Sequence, residues 1–131
     1  MTDTLTITRT EDRVLTLHLT GRLDSQTQNI LWDEAHRAHE AGVRFLLVDL
    51  QGLEMVTSAG LGTLHSIYKL FTPREEVDAW EMENHGEPYK SSYFKLTSAP
   101  AKIYYVLNIA GFLNNIPIYP DLNQALKSFE A

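Results

Sequence analysis

Apolar and polar positions alternate along Leu5-Thr6-Ile7-Thr8. They do so again from Val14 to Leu19, where Leu15, Leu17 and Leu19 fall on one face, as in a half-buried strand. The polar Glu11-Asp12-Arg13 between them reads as a turn, so the two runs are expected to form a hairpin, with Gly21 closing the second strand. Helical spacing takes over after Asp24 or Ser25, either of which suits an N-cap; Leu31, Ala35 and Ala38 share a stripe, and Gly42 follows as a stop. Phe45 to Leu50 is a nearly continuous apolar run, the pattern of a strand covered on both faces. A second helix is expected after Met55-Val56-Thr57-Ser58, with Leu61, Leu64, Tyr68 and Phe71 at helical spacing and Pro73 at its end.

From residue 74 to 90 the periodicity fades, and this stretch reads as an acidic surface insertion. Tyr93 to Leu96 is a further short strand, and Pro100 opens a third helix that runs to about Ala110 before Gly111. Ile116 to Tyr119 is a brief strand that Pro117 restricts to an edge or a strand start. Asp121 caps a last helix with Leu122, Ala125, Leu126 and Phe129 facing inward. The order β-β-α-β-α-β-α-β-α predicts an α/β fold, a mixed and mostly parallel sheet with an N-terminal hairpin and helices packed on it. At 131 residues one domain, 1–131, is expected. In such sheets functional groups gather beyond the carboxyl ends of the strands. The stretch around Ser58 occupies one such junction and Gly21-Arg22-Leu23-Asp24 another, close enough for Asp24 to approach Ser58.

Charge and composition narrow the chemistry. The absence of cysteine excludes thiol nucleophiles and thiolate metal sites. A net charge of −6 argues against a nucleic-acid partner, which demands clustered Lys and Arg. Between Pro73 and Lys90 six acids face only Arg74 and Lys90, so most of the excess sits in one stretch. That stretch reads as a solvated loop, with recognition of a basic partner as the sharper alternative, and Trp80 and Met82 within it suggest partial packing or a contact. No apolar run spans a bilayer, and Met1-Thr2-Asp3 begins no signal sequence, so a cytoplasmic protein without membrane insertion is expected.

Ser58 admits three readings. It can cap the second helix; it can accept a phosphoryl group beside that helix's positive end; or it can act as a nucleophile. Capping alone leaves Gly60 and Gly62 unexplained, since each costs about 1 kcal/mol in a helix relative to Ala. Two glycines let another backbone, or an anionic group, come close. Catalysis is the weakest reading, because the G-x-S-x-G elbow is absent and no histidine stands in a distinctive relation to a nucleophile and an acid. His18 reads as a strand residue on the less apolar face. His36 and His39 share a helix face, where solvation is a better account than a metal. No cofactor is expected.

Taken in order, Val14-Leu15-Thr16-Leu17-His18-Leu19-Thr20-Gly21-Arg22-Leu23-Asp24 resembles the "L-x-G-x-L-D" opening of STAS domains of the anti-sigma-factor antagonist type. Leu46 through Leu64 resembles that family's strand, loop and helix bearing "D-S-S-G-L-G". Phe94-Lys95-Leu96-Thr97 with residues 100–112, then Ile118-Tyr119 with residues 121–129, are similar to its last two strand–helix units. The resemblance implies a partner-switching protein rather than an enzyme. An anti-sigma factor that is a serine kinase of the histidine-kinase-like ATPase type would phosphorylate Ser58, a serine phosphatase would reverse it, and only the unmodified form would bind the anti-sigma factor. Asp24, Thr57, Ala59, Gly60 and Gly62 would form the surrounding contact surface; a homodimer is allowed. Thr57 stands where the family usually has aspartate, and Ala59 where it has a second serine. Two rival expectations are a non-phosphorylated STAS subunit of a membrane transport ATPase or sensory complex, and a STAS sensor of nucleotides or lipids.

Overall fold

A computed structural model describes residues 4–130; the opening Met1-Thr2-Asp3 lies outside the described residues. Five strands stand side by side in chain order: β1 (Leu5–Glu11), β2 (Leu15–Leu23), β3 (Leu46–Val56), β4 (Phe94–Thr97) and β5 (Ile118–Tyr119). β1 runs antiparallel to β2 and the remaining pairs are parallel, which is the mixed sheet expected from the hydrophobic pattern. Strand alternation then assigns two faces. Leu17, Leu19, Leu46, Val48, Leu50, Phe94 and Leu96 join the main core with Leu31, Ala35 and Ala38 of α1 (Gln28–Glu40) and Leu64, Ile67 and Phe71 of α2 (Ser58–Phe71). Ile103 and Leu107 of α4 (Ala101–Ile109) enter the same core. On the other face, Val14 and Leu47 meet Ala125 and Phe129 from α5 (Leu122–Lys127) and its end.

Several boundaries differ from the expectation, each for a local reason. Gly21 does not close β2: it remains paired with Leu5 at φ +114°, where a Cβ would lie 2.1 Å from the Thr4 carbonyl oxygen. Only glycine fits so near a crossing backbone, and the strand continues to Leu23 with an irregular register beside β3. β3 runs past Leu50 to Val56 because β2 offers it a longer parallel partner. α1 begins at Gln28 with Thr27 at its cap, two or three residues later than a cap at Ser25 or Asp24 predicts, because Asp24 closes a turn instead of capping the helix directly. Its Oδ1 accepts from the N–H of Gln26 and Thr27 at 3.0 and 3.1 Å.

The stretch from residue 74 is not without structure. Arg74–Glu83 form α3, a helix with no buried residue and with Glu75 and Glu76 in its first turn, where carboxylates favour the positive helix end. A polar helix of this kind leaves no hydrophobic stripe to detect. A single 3-10 turn at Phe112–Asn114 follows α4, entered through Gly111 in the left-handed region at φ 79°. Pro117 does confine β5 to two residues at the sheet edge.

Candidate functional site

Leu23 and Val56 are register partners at the ends of the parallel strands β2 and β3, and the Thr57 N–H donates to the Leu23 carbonyl at 3.0 Å. The two junctions singled out from the sequence are therefore adjacent: Asp24 follows one strand end and Thr57 the other. Asp24 is largely occupied in holding its own turn. Its Oδ1 also lies 3.2 Å from Thr27 Oγ1, which donates to the Arg22 carbonyl at 2.7 Å, while Oδ2 is 3.9 Å from the Arg22 guanidinium.

Ser58 is the first residue of α2, not its cap, and it is exposed. The cap position belongs to Thr57, in extended conformation (φ −103°, ψ 178°), and no side chain closes the helix start by hydrogen bonding. Thr57 Oγ1 is itself buried and makes no hydrogen bond among the described residues. An uncapped start leaves orphan backbone N–H groups at the positive end of the helix dipole, where an anion is favoured.

The glycines separate into two kinds. A Cβ on Gly60 would sit 2.7 Å from the Leu23 carbonyl oxygen and 2.9 Å from Val56 Cγ2, so this glycine admits the neighbouring strand end against α2. A Cβ on Gly62 would meet nothing within 4 Å beyond its own helix, and the residue is exposed, so no contact among the described residues accounts for it. One turn further, Thr63 Oγ1 donates to Gln28 Oε1 at 3.0 Å and ties α2 to α1.

The surroundings add residues that the sequence reading passed over. Arg22 and Lys102 border an open groove of about 420 Å³ with Glu54, Met55, Val56, Ile103 and Val106. α4 also leaves Tyr104, Tyr105 and Ile109 exposed. The signal was available in Ala101–Ile109, which is apolar around most of its circumference and so exceeds what one buried face requires. On α2 His65 packs its ring near Tyr68 and Phe112, and burial, then the Lys69 charge, push its pKa below the ordinary imidazole value.

His18 stands in a relation that sequence spacing did not disclose. Its Nδ1 lies 2.7 Å from Asp49 Oδ2 and its Nε2 2.9 Å from Thr10 Oγ1, so a hydroxyl, an imidazole and a carboxylate form a chain across three strands. Asp49 Oδ1 also accepts from the Gln51 N–H at 3.0 Å. The chain spans the less apolar face of the sheet and pins β1, β2 and β3 in register; 31 residues separate His18 from Asp49, which hid it. His36 approaches Glu40 at 3.8 Å, and His39 meets the edge of Phe71, so the two imidazoles serve different neighbours.

The sheet order, the hairpin and the helix that starts beside the β2 end define a SpoIIAA-like α/β fold. The family model described as "Mlab, STAS domain" matches residues 7–76, a little over half of the chain, and the protein belongs to this STAS domain family. Among solved structures, an anti-sigma factor antagonist from Mycobacterium paratuberculosis superposes with a TM-score of 0.76 at 22% identity, over 98% of this chain and 97% of that one. An anti-sigma-factor antagonist (STAS) domain protein from Planctomyces limnophilus gives 0.71 at 18% identity, over 95% and 98%. The Bacillus cell fate determinant SpoIIAA in its phosphorylated form gives 0.61 at 13% identity, over 94% and 96%. No curated protein matches the chain. Among the described residues no helix is long and apolar enough to cross a membrane.

Proposed function

We propose that this chain is an anti-sigma-factor antagonist of the partner-switching kind, controlled by phosphorylation of Ser58. The observation that carries the reading is an exposed serine at the first position of an uncapped helix. A phosphoryl group there meets free backbone N–H groups and the positive dipole end, so the helix accommodates it without unfolding. The change falls on the surface, where a gain of roughly two negative charges opposes a partner docked on unmodified Ser58. Gly62 supports the same reading: an exposed glycine with empty space above it lets a partner's backbone approach α2 closely. The neighbouring antagonist structures, one of them phosphorylated, are consistent with this role. The partner in this reading is an anti-sigma factor with serine kinase activity of the histidine-kinase-like ATPase type, and a serine phosphatase returns the chain to its binding form.

The test is phosphoryl transfer. Incubation with such a kinase and ATP, followed by intact-mass measurement, is expected to add one phosphoryl group to the wild type and none to Ser58→Ala. An equal gain in both proteins, or a gain that Thr57→Val removes instead, refutes the site.

Thr57 and Ala59, at positions where the family usually carries aspartate and serine, favour a second reading: a constitutive STAS interaction subunit of a membrane transport ATPase. That reading predicts partner binding unchanged by Ser58→Asp, whereas the first predicts its loss.

A further inference from the structure

A second open groove lies at the other end of α2, where α3 faces the chain from Glu87 to Ser92. Its floor is apolar, formed by Ala79, Trp80, Pro88 and Tyr89, and its volume is about 660 Å³. The floor is held in place by its own contacts. The Trp80 indole N–H donates to the Glu87 carbonyl at 3.1 Å, and the ring meets Tyr89 edge-on at 6.3 Å. The Tyr89 hydroxyl in turn donates to Glu76 at 3.3 Å. These bonds fix the aromatic walls before anything binds, which lowers the ordering cost of an occupant.

The rim is net acidic, with Glu76, Glu83 and Glu87 against Lys90. Glu83 and Glu87 border the groove and form no ion pair among the described residues. Lys90, the cation among the lining residues, is engaged elsewhere: its Nζ donates to the Leu113 carbonyl at 2.8 Å. Met82, on the same helix, is 77% exposed. α3 thus presents aromatic and aliphatic surface beside unpaired carboxylates, and it buries none of its ten residues.

We propose that this groove docks a basic, amphipathic peptide segment of a partner protein. An apolar side chain of that segment enters beside Trp80 and Tyr89, and flanking Lys or Arg side chains meet Glu83 and Glu87. Charge complementarity selects this occupant over a second copy of the chain, whose net charge of −6 opposes approach to an acidic rim. The groove is independent of Ser58. The 14 residues of α2 separate them by about 20 Å of helix at 1.5 Å per residue.

The proposal is tested with a labelled synthetic peptide of alternating Leu and Lys, followed by fluorescence anisotropy as the full chain is titrated in. Saturable binding that weakens as salt rises is expected, with an acidic Leu/Glu peptide not binding. Glu83→Gln with Glu87→Gln should weaken binding tenfold or more, as should Trp80→Ala. Ser58→Asp should leave affinity unchanged, which keeps this outcome separate from that of the phosphorylation test. The two glutamates are exposed, so the double variant is expected to melt with the wild type. No saturation, equal binding of the acidic peptide, or an unaffected double variant overturns the proposal. So does loss of binding in Ser58→Asp, and so does a dimer that the double variant disperses, because the occupant would then be a second copy.

Discussion

Gly60 and Gly62, two positions apart on α2, do opposite work. Gly60 is required by the Leu23 backbone, which cannot retreat without breaking the β2–β3 pairing, so Gly60→Ala is expected to destabilise the chain by about 1–3 kcal/mol. Gly62 leaves open space where a Cβ would sit and carries the full helix cost of glycine, so Gly62→Ala is expected to stabilise by about 1 kcal/mol. Urea denaturation of the two variants measures both shifts; stabilisation by both, or by neither, refutes this division. From the sequence the pair reads as one feature, a weakened helix start. What divides it is the distance to a strand end 37 residues earlier than Gly60, which spacing along the chain does not encode.

At the scale of elements, the legible parts were those with a buried face. β2, α1, α2 and the residues of α5 announce themselves because burial imposes a period of 2 or 3.6 on the chain. α3 leaves no such mark on the sequence, because it buries nothing and no period is imposed on it. The cap falls on Thr57, one residue ahead of Ser58, for a different reason: the Thr57 N–H is tied to the Leu23 carbonyl at the strand end while its carbonyl accepts from the Leu61 N–H, which makes Ser58 the first helical residue. Asp121 caps α5 as the sequence predicts, its Oδ1 accepting from the Gln124 N–H at 2.9 Å. α5 has only six helical residues, so its ends dominate its stability. At the far end the Lys95 ammonium donates to the Ser128 carbonyl at 3.0 Å and lies 4.4 Å from the centre of the Phe129 ring. Asp121→Ala is expected to cost about 1 kcal/mol and to show first in hydrogen exchange of α5, ahead of global unfolding.

Over the whole molecule, the buried groups Tyr89 and Lys95 act in opposite directions in alkali, with Tyr68 and Tyr93, both also raised, on the side of Tyr89. Burial, then Glu76, pushes the Tyr89 phenol up from 10.0 to about 12. Between those values the unfolded chain has released the phenolic proton while the folded chain holds it, so rising pH favours unfolding. Burial lowers the pKa of Lys95 from 10.5, so below that value the unfolded chain binds the proton more readily, and rising pH favours folding. Tyr89→Phe removes the Tyr89 share of the first effect. Its stability is expected to fall less steeply than that of the wild type from pH 10 upward, as thermal melts at stepped pH will record; parallel curves would exclude Tyr89 as the cause.

The open start of α2 has a consequence for anyone who evolves this protein in the laboratory. The missing cap and the exposed Gly62 are places where the native state forgoes stability on a surface that other parts of the fold do not use. Selection for heat resistance alone would draw its substitutions toward that surface; on the function proposed above, selection that also demands partner switching would keep them out. Comparing survivors of the two selections would test, residue by residue and without a partner in hand, the face proposed above for regulation.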